Sequence, residues 1–354
     1  MKNISILIPD GESPFAIHVI ACLASTHAVD IHVLSKKRNV PVRYSRAIRS
    51  FHVLDEGQSL LEGVLAICSH IHIDVCMPVD MDSIYYCAQH RAQIERYTRL
   101  NLSETPEKLR LAWDKGLLAD FAHANNQSHP MTITNQGKFE ELNSQISYPV
   151  LIKPRLAGGG EGIILIESHR ELTKLVDTYG FFDENIIQEY IDGQDIDCSV
   201  LCYEGVILAH TIQCTVYPSP LRYTPSDAVK FIHDKRVLQA AENLVASLKW
   251  NGVAHIDMRI RTSDDRVLLI EINPRFWGSL EGSLRAGVNF PYLSLQSSLG
   301  KTYPVPDFIE IKYMSILSAI KRKIKLEPTL NLIHETNLSA TFRDPLPAIV
   351  KVFS

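Results

Sequence analysis

Several things are missing from this chain of 354 residues, and each absence narrows the reading. No apolar run approaches the ~20 residues that cross a bilayer, so no membrane span is expected. The formal charge is only -4, which gives neither a basic surface for nucleic acid nor an acidic disordered tail. The seven cysteines form no C-x-x-C pair; Cys198 and Cys202 are the closest spaced. No leader pattern precedes the first apolar stretch, "NISILIP". The thiols are therefore read as buried or free in a reducing cytoplasm, which excludes a disulfide scaffold. No G-x-G-x-x-G follows the first strand, so a dinucleotide fingerprint is lacking, and no G-K-[ST] follows the glycines at 158–162, so there is no P-loop. Repeats and low-complexity tracts are also missing.

What is present is a hydrophobic content of 45%, enough for a sizeable core and more than one domain. "ISILIPD" (4–10) reads as a buried parallel strand. "SPFAIHVIACLAS" has helical spacing, with Ser13 and Pro14 as its start signal. "VDIHVLS" is a second strand, and "SLLEGVLAICSHIHIDVCMPVD" a helix and then a strand. The alternation predicts a small doubly wound α/β unit over residues 1–102. Ser103 to Glu107 mark a helix start, and Lys115 lies in the next helical stretch. "YPVLIKPRLAGGGEGIILIES" is two apolar runs around a glycine-rich turn, and "ENIIQEYIDGQDIDCSVLCYEGVILAHTIQC" reads as three strands. An amphipathic helix follows, stopped at Asn251 and Gly252; past about 305 the pattern weakens.

The stretch "VAHIDMRIRTSDDRVLLIEINP" carries the most chemistry. As a hairpin centred near Asp264, it sets Asp257 opposite Glu271 and His255 opposite Asn273. Period two puts His255, Asp257 and Arg259 on one face with Leu269, Glu271 and Asn273. Ala254, Ile256, Met258, Ile260, Ile270 and Ile272 form the core face. Glu and Asn are poor strand residues, and like charges directly opposite each other are destabilising. A cation between the carboxylates removes the conflict: two carboxylates and an amide oxygen suit Mg²⁺ or Mn²⁺. The alternative is a solvated polar face with one carboxylate paired to Arg259 or Arg275.

Gly158, Gly159, Gly160 and Gly162 let backbone N–H groups approach phosphates without Cβ clashes; a flexible hairpin tip is the plainer alternative. Lys153, just before this turn, either reaches phosphates that the turn covers or is an ordinary surface residue at a strand end.

Taken in order, "AWDKGLLADFA", "YPVLIKPRLAGGGEGI", "IIQEYIDGQDID" and "HIDMRI…LLIEINPRFWGS" resemble the ATP-grasp superfamily, in the flavour of its carboxylate–amine ligases and carbamoyl-phosphate-synthetase-like proteins. The resemblance covers about half the chain. It implies an α/β (α+β grasp) fold: an N-terminal α/β domain (1–102), a small lobe (103–190), a large lobe with the metal site (191–305) and a C-terminal extension (306–354). It implies that Lys115 and Lys153 contact nucleotide phosphates under the Gly158–Gly162 turn. Gln188, Glu189 and the Ile191 backbone match the stretch that meets the adenine edge. Asp195 matches the residue that takes the ribose hydroxyls, with Asp197 a substitute on the same face. Asp257, Glu271 and Asn273 match the metal ligands, and Arg275 a basic group near the reacting phosphoryl and acyl groups. The pattern departs from the family at Gln188, where many relatives have Glu; at Asp195, one methylene shorter than Glu; and at His255, where peptide-forming relatives often have Arg. His255 is left as a substrate contact, a neutral donor or a structural partner for Asn273.

The implied activity is an ATP- and Mg-dependent ligase that activates a small-molecule carboxylate as an acyl phosphate and couples it to an amine. The alternatives are a carboxylase or carbamoyl-phosphate-synthetase-like enzyme, or a nucleotide-binding module without catalysis. Homodimers are common in the family. Substrate choice is expected to rest on the N-terminal unit, on the residues after Trp277, and on "TVYPSPLRYTPSDAVKF", whose Arg222, Tyr223 and Lys230 meet an anion or solvent. "KRKIK" (321–325) reads as the charged end of a surface helix or as a basic helix that touches a membrane or an acidic partner, and "DPLPAIVKVF" as a packed segment.

Overall fold

A computed structural model describes residues 3–178, 180–217, 223, 226, 228–316, 319, 335–347 and 350. Arg222, "KRKIK" and the end of "DPLPAIVKVF" lie outside the described residues.

Five short strands come first: β1 (Ile4–Ile8), β2 (Val29–Ser35), β3 (Ile48–Val53), β4 (Val75–Cys76) and β5 (Arg99–Leu100). They form a parallel sheet in the order β3-β2-β1-β4-β5. Ile6, Leu7 and Ile8 are fully buried, as a parallel strand covered on both faces requires. The strand read as running to Asp10 ends at Ile8. Asp10 instead turns its carboxylate to the N–H groups of Val79 and Asp80 (3.1 and 2.8 Å), tying the end of β1 to the end of β4. The helix expected from Ser13 and Pro14 spans Ala16–Ala24, because the Ser13 hydroxyl accepts from the Phe15 N–H at 3.2 Å and delays its start. Helix Leu60–His70 is fixed by a capping box between Ser59 and Glu62. Strand β3 was not legible: it is a polar, half-exposed edge strand, IRSFHV.

A second sheet, in the order β6-β9-β7-β8, comprises β6 (Thr132–Ile133), β7 (Val150–Pro154), β8 (Ile164–Ile166) and β9 (Asn185–Glu189). Its own core includes Phe139, Ile152, Leu172 and Ile187.

The third sheet has six antiparallel strands: β10 (Gly193–Tyr203), β11 (Val206–Thr215), β12 (Ala228–Phe231), β13 (Gly252–Arg261), β14 (Val267–Asn273) and β15 (Lys312–Met314). Its order is β14-β13-β10-β11-β12-β15. Helix Lys235–Leu248 packs on it through Val237, Ala241, Leu244, Val245 and Leu248. That helix closes at Lys249 in the left-handed region, two residues before the Asn251–Gly252 stop. Strand β15 is drawn from the segment beyond 305. Further on, Asp344 accepts from the Ser45 hydroxyl and from the Arg46 N–H (3.1 Å), so that stretch packs on the N-terminal domain.

The hairpin register agrees with the sequence at its chemical end and departs from it below. His255 pairs with Asn273 and Asp257 with Glu271, but Met258 pairs with Leu269. The extra residue, Ile270, forms a bulge. Leu269 therefore joins the core, not the polar face, and Ile270 is only half-buried. The Leu269 N–H leaves the hairpin ladder and donates to the Ser128 carbonyl at 2.8 Å, which accounts for the slip.

Candidate active site

Strand register lines polar residues up in rows. Gln213 pairs with Asp197, Asp197 with Asp257, and Asp257 with Glu271. One step along, Thr211 pairs with Ser199, Ser199 with His255, and His255 with Asn273. Three carboxylates thus stand side by side on three strands, at spacings where like charges repel. A hairpin argument finds only two of them, because it cannot see that β10 adjoins β13; the alternating "DID" at Asp195–Asp197 is the trace this leaves in the sequence.

Their surroundings split the three. Burial raises the Glu271 carboxyl, but Lys115, a hydrogen bond from Asp257, Lys153 and Asn273 outweigh it and hold the group at about 2. The Lys115 ammonium lies 3.1 Å from Glu271 Oε2. Asp257 is pushed well above the carboxylate range by burial and then by Glu271 and Asp197. Burial likewise lifts Asp197 to about 7, against a hydrogen bond from Gln213 (3.1 Å). Asn273 Nδ2 donates to Asp257 Oδ2 and Glu271 Oε1, both at 3.2 Å, while its Oδ1 accepts from Arg275 at 3.2 Å. Among the described residues, Asp257 Oδ1 is buried with no hydrogen-bond partner, and His255 Nε2 lies 3.4 Å from it. A set of oxygen acceptors with one buried acceptor unmatched has the chemistry of a hard divalent cation site. Asn273 would join it through oxygen once its amide turned over.

Of the two lysines, Lys115 touches this row and Lys153 acts on it through its charge. Lys115 opens helix Lys115–Ala124, capped by Asp114. Its ammonium also donates to the Ala157 carbonyl, at the start of the glycine turn. Lys153 is buried on β7 and donates to Gln188 Oε1 at 2.7 Å. Gln188 in turn donates to Thr132 Oγ1 at 3.1 Å. Since Gln188 is neutral, no charge there offsets the burial of Lys153. Burial lowers the ammonium to about 8, although Glu271 pulls the other way. In the turn, Gly160 has φ +82°, and a Cβ there would sit 2.0 Å from the Tyr223 carbonyl oxygen. Only glycine fits that approach.

The Glu189 carboxylate accepts from the Met131 N–H at 3.1 Å, and the Ile191 side chain is buried. Asp195 is largely exposed and bound to Arg259 at 2.6 Å. Of the residues read as meeting an anion or solvent, Lys230 lies on β12 and pairs with Glu310 at 3.5 Å.

His255 Nδ1 lies 2.8 Å from the Ser199 hydroxyl, and its ring stacks on Trp277 with centroids 5.4 Å apart. Burial, with Arg275 nearby, lowers the imidazole to about 3. It is therefore neutral, and its 3.4 Å approach to Asp257 is no ion pair. The Arg275 guanidinium sits 4.3 Å over the Phe15 ring and donates to the Phe276 carbonyl at 2.8 Å. The loop after β1 thereby comes to the site, which no local motif announces.

Residues 112–279 match the model of the ATP-grasp domain. The arginine-specific carbamoyl phosphate synthase large chain of Geobacillus stearothermophilus is 23% identical over 45% of this chain and 16% of its own length. D-alanine–D-alanine ligase A of Bacillus cereus is 26% identical over 38% of this chain and 48% of its own. The chain thus spans less than half the length of these relatives. The N5-carboxyaminoimidazole synthetase of Staphylococcus aureus shares the fold with a TM-score of 0.68, at 14% identity, over 93% of this chain and 88% of that one.

Proposed function

From a chain whose residues 112–279 form an ATP-grasp domain, we propose an ATP-dependent ligase that joins a small-molecule carboxylate to an amine. The observation that carries the reading is the ion pair of Lys115 with Glu271 at 3.1 Å, to which buried Lys153 adds its charge: cations meet acceptors where, in this reading, a triphosphate and a divalent cation bind together. In this reading Asp257, Glu271 and Asn273 hold Mg²⁺ or Mn²⁺, which neutralises charge on the triphosphate when bound. Lys115 and Lys153 take phosphate oxygens, and the Gly158–Gly162 turn closes over them. Gln188, Glu189 and the Ile191 backbone line the base, and Asp195 the ribose.

The chain's task is positioning and charge neutralisation, not covalent attack. A carboxylate oxygen attacks the γ-phosphorus, the bond to the β-phosphate oxygen breaks, and ADP leaves. The amine then attacks the acyl carbon, phosphate departs, and the amine sheds one proton. Arg275, held flat by Phe15 and Asn273, faces the negative charge that develops on the acyl group. Neutral His255 contributes a hydrogen bond and no charge. The match to D-alanine–D-alanine ligase A supports this reading; in its runner-up, bicarbonate takes the place of the small-molecule carboxylate.

Hydroxylamine trapping separates these. With ATP, Mg²⁺ and a pool of carboxylates, the ligase reading expects a stable hydroxamate and ADP in equal amounts. ADP that forms only with bicarbonate would favour the runner-up, and no ADP under either condition would refute both.

A further inference from the structure

We infer that Asp114 and Arg155 are positioning residues, a two-pronged clamp that aims Lys115 at the nucleotide phosphates; the inference rests on the nucleotide reading above. Arg155 Nη2 lies 2.8 Å from Asp114 Oδ1, and its Nε donates to Asp114 Oδ2 at 3.1 Å. This side-on fork fixes the angle between two groups as well as their distance. Asp114 is the residue before Lys115, and its Oδ1 also accepts from the N–H groups of Gly116 (2.8 Å) and Leu117 (3.1 Å). The same carboxylate therefore starts the helix that carries Lys115. Arg155 lies two residues after Lys153, and its carbonyl accepts from the Lys115 N–H at 3.1 Å. Backbone and side chain together lock the two lysine-bearing segments.

Arg155 is tied down further. Its Nη1 donates to the carbonyls of Thr134 (3.3 Å) and Phe182 (3.4 Å), and its N–H donates to the Glu184 carbonyl at 2.8 Å. Arg155 thus joins the helix of Lys115 to two other segments, at Thr134 and at Phe181–Glu184. Helix Lys115–Ala124 accepts a cost for this. Its second residue is Gly116, a poor helix former, and a Cβ there would lie 2.4 Å from the Arg155 Cζ. The space that a better helix former needs is filled by the guanidinium. Asp114 and Arg155 are both largely buried, with side-chain exposures of 6% and 15%. A buried ion pair of this kind is weak evidence for stability. Its fixed geometry matters where a neighbouring side chain must point one way, and the neighbour here is Lys115, whose ammonium spans from Ala157 to Glu271.

The test is a double-substitution cycle on the full chain, read as affinity for ADP with Mg²⁺ by calorimetry. Arg155→Lys keeps the charge and loses the fork. The clamp predicts a loss of roughly tenfold in affinity in the native background, and less than twofold when Lys115 is already methionine, because Arg155 acts through Lys115. A loss of equal size in both backgrounds, or none in the native one, overturns the inference, since either would make the pair a structural ion pair only. Should Arg155→Lys fail to fold, Asp114→Asn, which keeps an acceptor for the helix cap, runs the same cycle with the same expected outcomes. If the unsubstituted chain has no affinity for ADP, the nucleotide reading falls and the clamp falls with it. If it binds and the cycle is additive, only the clamp falls.

Discussion

Lys115 stands where a cation would act. Its ammonium is 3.1 Å from Glu271 Oε2, on one of the three carboxylates of the row. At an effective dielectric of ~20, a unit charge pair at that separation attracts by about 5 kcal/mol before desolvation. The net worth of a hydrogen bond to a charged group is about 1.5–3 kcal/mol. Converted at 1.4 kcal/mol per tenfold, replacing Lys115 with methionine should tighten Mn²⁺ binding roughly ten- to hundredfold in the absence of nucleotide. The same substitution should weaken ADP, because a phosphate contact is lost. Lys153 provides the control: its partner is neutral Gln188 at 2.7 Å, so Lys153→Met should raise Mn²⁺ affinity far less. The assay is free Mn²⁺ by electron paramagnetic resonance, with Glu271→Gln alongside to show where the ion sits. Equal gains in the two lysine variants would show a diffuse charge effect and refute the argument from contact, as would a loss of Mn²⁺ binding in Lys115→Met.

Other consequences follow from the same geometry. Asp257→Asn and Glu271→Gln should each abolish ATP turnover while the cooperative thermal transition survives, checked by phosphate release and calorimetry; turnover unchanged in both would remove the site assignment. Burial holds Lys153 at about 8, below its usual 10.5. Between those values the unfolded chain binds the extra proton, so stability should rise as pH climbs through that window. Affinity for ADP should fall over the same rise as the ammonium is lost; Lys153→Arg, which stays charged, should flatten that fall in a titration from pH 7 to 9.5. Gly160→Ala adds a left-handed strain of roughly 1–2 kcal/mol to its clash with the Tyr223 carbonyl. It should weaken ADP binding several-fold while leaving Mn²⁺ binding without nucleotide unchanged, and calorimetry of each ligand checks this.

The sequence was most legible where a local period and a chemical demand coincided. Asp257 faces Glu271 as counting from a centre at Asp264 expects, although the pairs nearer the turn are offset by one and the bulge at Ile270 restores the match; their charges explain why strand-averse residues sit there. The same counting failed at the very next residue, Ile270, because a loop carbonyl from Ser128 takes the Leu269 N–H and no local pattern reports a distant acceptor. Asp197 was visible as a residue but not as the third carboxylate of the row, since strand order across β10 and β13 is a property of the whole sheet. Strand β3 was missed because a half-exposed edge carries too little apolar signal. The Asp114–Arg155 fork spans 41 residues, and its one local trace is a glycine at the start of a helix that gains nothing from it. Phe15 beneath Arg275 is likewise a product of how the N-terminal domain docks.

The most direct test of the account is phosphate release from ATP and Mg²⁺ across pooled carboxylates and amines, with Glu271→Gln run beside the unsubstituted chain. Release that requires both pools and vanishes in the variant is the predicted result. Release with neither pool, or release that persists in Glu271→Gln, would contradict the claim that the carboxylate row and its facing lysines form a ligase site.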